Sequence, residues 1–289
     1  MGYALPLVVI TLRAAIVNGA LGYGFSSITV PLALLFLTNR VLNPALVPIE
    51  VALNAYVLWV NRASLPGVWR RVLPIVIGLA PGVLLGTALV SFVNPGWLKF
   101  GTFIVLLPLI LIQAAGYRRP IQSERSVGLA FGGGVGILYS VTTISGPPLA
   151  VMLSNQGLTK KDFRAALGFI RLAESSFTAV AYYYAGLYSV QSAALIPYIL
   201  PSIVVGVPIG AYLIQRIRPE TFRRVCMSFD AWVVAFGLST LLQDLRLVDG
   251  NAAYLVLLVV GVLDTWLLYR FFLVQNAAPG PKDPAYTVS

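Results

Sequence analysis

The chain has no histidine and a single cysteine, Cys226. Tetrahedral zinc, haem ligation, paired-thiol redox chemistry and a disulfide framework are set aside on that ground, and no metal site or cofactor is expected. Charge is scarce as well. Only 10% of the residues are charged while 58% are hydrophobic, a balance that a water-exposed surface on 289 residues cannot carry. The solvent for most of this surface is therefore lipid. The formal charge of +10 does not point to nucleic acid, because the basic residues sit in short clusters between long apolar runs rather than on one face. The first residues, Met1-Gly2-Tyr3-Ala4, lack the basic region and cleavage site of a secretory signal, so the first apolar run is expected to stay in the mature protein.

What is abundant is apolar sequence of membrane-crossing length. A helix needs about 20 residues at 1.5 Å each to cross about 30 Å of hydrocarbon. Spans are expected at 44–60, 72–93, 96–115, 163–185, 189–214, 221–242 and 252–274. Two further apolar segments are interrupted. Residues 4–37 contain Gly22-Tyr23-Gly24-Phe25-Ser26-Ser27, and residues 127–154 contain Thr142-Thr143-Ile144-Ser145-Gly146-Pro147-Pro148. Glycine weakens a helical ladder and proline removes its N–H groups. Each segment reads as two half-helices joined by irregular backbone, which survives at membrane depth only when buried in protein or lining a polar cavity.

The chain also repeats itself. Gly82-xxx-Gly86 followed by Pro95 recurs with the same internal spacing as Gly206-xxx-Gly210 followed by Pro219, and Pro31-Leu32-Ala33 resembles Pro148-Leu149-Ala150. Each half is thus a broken segment followed by three helices, the first over 1–115 and the second over 127–243. A basic linker (116–126) joins them, an extra helix (244–275) follows, and a disordered tail (276–289) ends the chain. If each broken segment enters and leaves on one side, the basic residues of 62–71, 118–125, 160–164, 216–224 and 270–282 fall together, with only Arg40, Lys99 and Arg246 opposite. Cytoplasmic loops collect Lys and Arg, so this topology is favoured over two plain crossings. It makes three net crossings per half and therefore inverts the second half. The expected fold is an all-α polytopic membrane protein of two inverted repeats, each a broken hairpin plus three helices, with one extra C-terminal helix. Its N-terminus is outside and its C-terminus cytoplasmic.

A half-helix that starts inside the bilayer presents unpaired N–H groups and a positive dipole end, which together suit an anion. The candidate ligands are Gly22, Gly24, Ser26 and Ser27, facing Thr142, Thr143, Ser145 and Gly146. Ionisable residues within apolar helices are the next signal, since each costs roughly 2.5–3.5 kcal/mol or more at the bilayer centre unless paired or hydrated. Arg171 and Glu174 lie three apart on one helix and can touch each other. Arg171 is expected to attract an anion. Glu174, together with Glu50, is a candidate for proton coupling, and Asn54, one turn from Glu50, is a further candidate contact. Simple packing is the competing explanation for each of these residues. Asp230 and Asp264 fit an interhelical hydrogen bond as well as a proton relay, and Arg13 fits snorkelling or pairing with one of them. The two Gly-xxx-Gly motifs are read as close helix packing. Tyr182-Tyr183-Tyr184 is read as an interfacial aromatic belt, and Gly132-Gly133-Gly134 has no strand or lysine that would make it a phosphate loop.

At these residues the chain resembles the sulfite exporter TauE/SafE family of membrane permeases. Gly19-Ala20-Leu21-Gly22-Tyr23-Gly24 through Pro31, and Gly132-Gly133-Gly134-Val135-Gly136 through Gly146-Pro147-Pro148, carry the resemblance over most of 4–243. The resemblance implies a transporter, not an enzyme, moving sulfite, a sulfonate or a related organic anion across a bacterial cytoplasmic membrane. Alternating access is the expected mechanism, and a non-transporting subunit of a membrane complex is the alternative. The partners expected are a small anion and the lipid bilayer, with no nucleic acid; a homo-oligomer is left open.

Overall fold

The computed structural model describes residues 4–21, 24–115, 124–154, 158–213 and 219–275. The helices are α1 (Ala4–Leu21), α2 (Phe25–Ala33), α3 (Asn39–Val60), α4 (Leu65–Phe92), α5 (Pro95–Ala114) and α6 (Glu124–Thr142). After these come α7 (Gly146–Ser154), α8 (Lys160–Tyr184), α9 (Val190–Ala193), α10 (Ile196–Leu213), α11 (Pro219–Asp244) and α12 (Leu255–Tyr269). Among the described residues there is no strand. Among the described residues, five helical stretches are long and apolar enough to cross a membrane, namely Asn39–Val60, Arg62–Phe92, Pro95–Ile112, Val190–Leu213 and Gly250–Leu273.

Several boundaries differ from expectation. The span expected at 44–60 begins at Asn39, with Pro44 and Pro48 inside α3, because surrounding protein can satisfy the backbone groups a proline frees. The one expected at 72–93 begins at Leu65, with a proline in its first turn, where the missing N–H has no partner to lose. The stretch expected as one helix over 189–214 is divided into the single turn α9 and the longer α10. α8 and α11 are long enough to span, at 25 and 26 residues, but are not among the five apolar stretches. They carry the buried polar residues Arg171, Glu174, Ser175, Thr178, Arg224, Ser228, Asp230 and Ser239. The linker of 116–123, the tail beyond residue 275 and Gly22 lie outside the described residues.

Side chains are distributed as lipid requires. Leu84, Phe92, Val204, Leu258 and Val262 are exposed, while Asn39, Asn43, Glu50, Ser145, Glu174 and Asp264 are fully buried. Small residues set the packing. An added Cβ at Gly82 would collide with the carbonyl of Gly133, and one at Gly86 would meet Ser140 and Ile137. Gly78, one turn earlier, abuts Leu129. Numbers rise together on both helices, so α4 and α6 run parallel in backbone contact. α10 does the same with α1: Ser202 bonds the Val8 carbonyl, Gly206 abuts Ala15, and Gly210 abuts the backbone of Ile16 and Ala20. Both Gly-xxx-Gly motifs are therefore packing motifs, as expected. Gly132 lies within α6 and faces the Ile75 backbone.

The second broken segment is a hairpin. Ser140, near the end of α6, lies against Thr178 of α8, and Tyr182 donates to the Ser140 carbonyl. Beyond the break, Ser145 sits at Glu174, and Leu149, Met152 and Leu153 of α7 share a buried cluster with Ala165, Ala166 and Ile170. The chain thus climbs α8 along α6 and descends it along α7. α3 and α8 are antiparallel, because Glu50 reaches Arg171 while Gly168 lies against Val57 and Leu58.

Candidate functional site

α6 ends where its sequence stops supporting a helix. Pro147 and Pro148 cannot donate to the ladder, and Thr143 adopts φ 53°, a left-handed conformation that costs a β-branched residue strain. The carbonyls orphaned at the end of the helix are taken by other groups. Tyr182 holds that of Ser140. Asn39 and Asn43 donate to that of Val141 at 3.0 and 2.6 Å. Thr142 and Thr143 act locally as well: the Thr142 hydroxyl donates to Leu138 and accepts from the Ile144 N–H, and the Thr143 hydroxyl donates to the Thr142 carbonyl. Both hydroxyls shape the break. The first break uses glycine for the same turn, with Gly24 at φ 105° immediately before α2.

Each break presents one serine to a buried carboxylate. Ser26 Oγ donates to Glu50 Oε1 at 2.5 Å, and Ser145 Oγ donates to Glu174 Oε2 at 2.5 Å. The positive-φ residues Gly24 and Thr143 stand two positions ahead of these serines. Glu50 Oε2 also accepts from the Tyr139 hydroxyl at 2.9 Å, so a carboxylate bonded at the first break is bonded again by the helix leading into the second. Arg171 Nη2 lies 3.2 Å from both Glu50 oxygens, and Asn54 Nδ2 donates to the Arg171 carbonyl at 3.3 Å. Ser26, Glu50, Asn54, Thr142, Thr143, Ser145, Arg171 and Glu174 are all buried. Gly146 opens α7 beside Ser145 and is also buried. Ser27 is only half-buried and makes none of these bonds.

Three expectations need correction. Arg171 pairs not with Glu174 on its own helix but with Glu50 on α3, where the carboxylate offers both oxygens. Tyr182 is not part of an aromatic belt: it is fully buried on the Ser140 carbonyl, whereas Tyr183 and Tyr184 are 72% and 83% exposed. Successive residues on a helix turn to different sides, so one tyrosine of the three faces inward. Arg224 is not a loop cation. It is buried in α11 and bonds Asp264 of α12 at 3.1 Å, which α12 supplies as a counter-charge.

That Asp264 carboxylate also accepts from Ser228 and Trp232, each at 3.1 Å, an interhelical hydrogen-bonded cluster. Asp230 is buried with Oδ1 lacking a hydrogen-bond partner, and Arg13 stacks 5.0 Å from the neighbouring Phe229 ring. Tyr139, Asn39 and Asn43, together with Tyr182, also build the site, and the first three carry no mark in the sequence that singles them out. The signal available was a polar group at a helical position facing its neighbours, which needs the neighbours to be known.

A core of one guanidinium and two carboxylates between helix interruptions suits binding and release of a small charged solute. No curated protein and no solved structure matches the chain. The model of the sulfite exporter TauE/SafE family matches residues 7–237, most of the chain, and the chain belongs to that family of membrane transporters, which are not enzymes.

Proposed function

We propose that this multi-pass membrane protein carries a small anion, such as sulfite, a sulfonate or a related organic anion, across the cytoplasmic membrane by alternating access. The site comprises Gly22, Gly24, Ser26, Ser27 and Asn54 from the first half and Thr142, Thr143, Ser145, Gly146 and Arg171 from the second, with Glu50 and Glu174 as the two candidates for proton coupling. The observation that carries the reading is the pair of bonds Ser26–Glu50 and Ser145–Glu174. In each, a hydroxyl at the start of a half-helix already holds a negative group. The carboxylates occupy the positions where dipole ends and hydroxyls favour an anion, and Ser26, Glu50, Ser145, Arg171 and Glu174 are buried, as an occluded stage of a transport cycle requires.

Two inverted repeats, 1–115 and 127–243, account for the pattern of contacts. α4 packs its glycines on α6 and α10 packs its glycines on α1, so each half's second full helix embraces the other half's broken segment. α3 and α8, which carry the two carboxylates, meet across the centre. Rocking one half against the other about this contact exposes the site to either side in turn. The excess of Lys and Arg in the loops and tail that share one side, undiminished in sign when Arg224 is removed from the count, supports a cytoplasmic C-terminus.

Flux into proteoliposomes tests the reading, comparing sulfite, sulfonates and carboxylates. The expected result is uptake of at least one of these anions, abolished in Arg171→Ala and in the Ser26→Ala/Ser145→Ala double variant while both stay folded. Unchanged flux in all of them removes the site. Absence of flux for every anion in well-folded wild type favours a non-transporting subunit instead.

A further inference from the structure

The two carboxylates are not equivalent. Glu50 has both oxygens engaged, by Ser26, Tyr139 and Arg171. Glu174 has one oxygen on Ser145 and the other buried with no hydrogen-bond partner. Arg171 is on the same helix as Glu174, three residues away, and still turns to Glu50. The titratable and charged groups that face Glu174 are Arg171 of α8, Glu50 of α3 and Tyr139 of α6. Among the described residues, the charged side chains of α4, Arg70 and Arg71, lie exposed in its first turns, and α7 carries none.

We propose, resting on the anion-carrier reading, that Glu50 is a permanent counter-ion of Arg171 and that Glu174 is the one carboxylate that exchanges with the transported anion, taking up one proton as the anion enters. With both carboxylates ionised, the buried cluster holds one cation and two anions. Admitting a monoanion would add a further uncompensated charge, which apolar surroundings resist. Protonating Glu174 at the same time leaves the net charge unchanged. The neutral carboxyl then frees the Ser145 hydroxyl for the solute. Arg171 Nε, also buried without a partner, is a further donor. When the site opens on the other side, the anion leaves, the proton leaves Glu174, and its carboxylate returns to Ser145. Loaded and empty carriers bear the same charge, so one proton moves with one monoanion and the cycle is electroneutral.

The test uses the purified full chain in liposomes with radiolabelled 2-hydroxyethanesulfonate, a monoanion at neutral pH, as the probe. A pH gradient of about one unit should sustain an anion ratio of about ten, since the two gradients balance one for one. An imposed potassium diffusion potential should not alter it. An internal pH indicator should record one proton entering with each anion. In Glu174→Gln the ratio should fall to about one, while counterflow of labelled against unlabelled probe persists, if slower. In Glu50→Gln, both accumulation and counterflow should fail. Accumulation by Glu174→Gln equal to wild type would overturn the proposal, as would wild-type flux that follows the membrane potential with no proton movement. The last two wild-type measurements decide the matter even if Glu174→Gln does not fold. Flux without proton coupling sinks this inference alone, whereas wild type with neither flux nor counterflow sinks the carrier reading together with it.

Discussion

Tyr139 reaches from α6 to Glu50 on α3 and donates to Oε2 at 2.9 Å, while Ser26 holds Oε1 of the same carboxylate at 2.5 Å. One side chain on α3 therefore ties together the two places where the membrane helices are interrupted. A hydrogen bond to a charged group is worth about 1.5–3 kcal/mol. Removing only the hydroxyl, in Tyr139→Phe, should lower thermal stability in detergent by about that amount and reduce anion flux, because Glu50 loses one of the groups that orient it towards Arg171. Flux and melting temperature identical to wild type would show that the bond does not position the site.

Helix contact through glycine yields a second prediction with an internal control. Gly82 and Gly210 abut backbone carbonyls of the opposing helices, whereas Gly101 and Gly261 have nothing near an added Cβ. Gly82→Ala and Gly210→Ala should each destabilise by about 1–3 kcal/mol, since packed backbone gives way poorly. Gly101→Ala should be neutral or stabilising by up to about 1 kcal/mol, because alanine is the better helix former. Monodispersity and thermal unfolding of the three variants check the contrast, and equal behaviour at Gly82 and Gly101 would refute it.

The membrane-protein class and the two interruptions were legible from composition and from glycine and proline placement, because both are local properties of the chain. The serines at the breaks were legible for the same reason. The pairing of Arg171 was not: sequence neighbours on a helix offer a partner at short range, and only the approach of α3 to α8 reveals that Glu50 is better placed. Tyr139 and Tyr182 were missed on similar grounds, since an inward tyrosine is told from a lipid-facing one by what lies opposite. The low apolar content of α8 is itself a consequence of the site it carries, so the helix most central to the proposed function gave one of the weaker span signals.

The Arg224–Asp264 pair joins α11 to α12 and is buried. Removing one partner of a buried ion pair costs about 3–5 kcal/mol. Asp264→Leu should therefore lower the yield of folded protein sharply, with Ser228 and Trp232 also losing their acceptor. Arg224→Met combined with Asp264→Leu should recover much of that loss. Whatever folds should transport like wild type. A double variant no better than the single one, measured by thermal unfolding, would show that the cluster stabilises by its hydrogen bonds and not by charge balance.

Thr143 offers a test of how the second interruption is held. Its φ of 53° places a β-branched side chain where an L-residue pays roughly 1–2 kcal/mol, and the first interruption uses glycine at the equivalent distance from its serine, with Gly24 at φ 105°. Glycine at position 143 removes the strain and also the hydroxyl bond to the Thr142 carbonyl, two effects of similar size and opposite sign. Thr143→Gly should thus change stability by less than about 1 kcal/mol. The reverse exchange at the first interruption, Gly24→Thr, should destabilise by about 1–2 kcal/mol, because the left-handed strain is added, while the Val17 side chain, 3.5 Å from where its Cβ would go, is an ordinary contact. Unfolding curves that put Thr143→Gly well below Gly24→Thr would mean that the threonine backbone is not under strain and that its hydroxyl alone holds the turn.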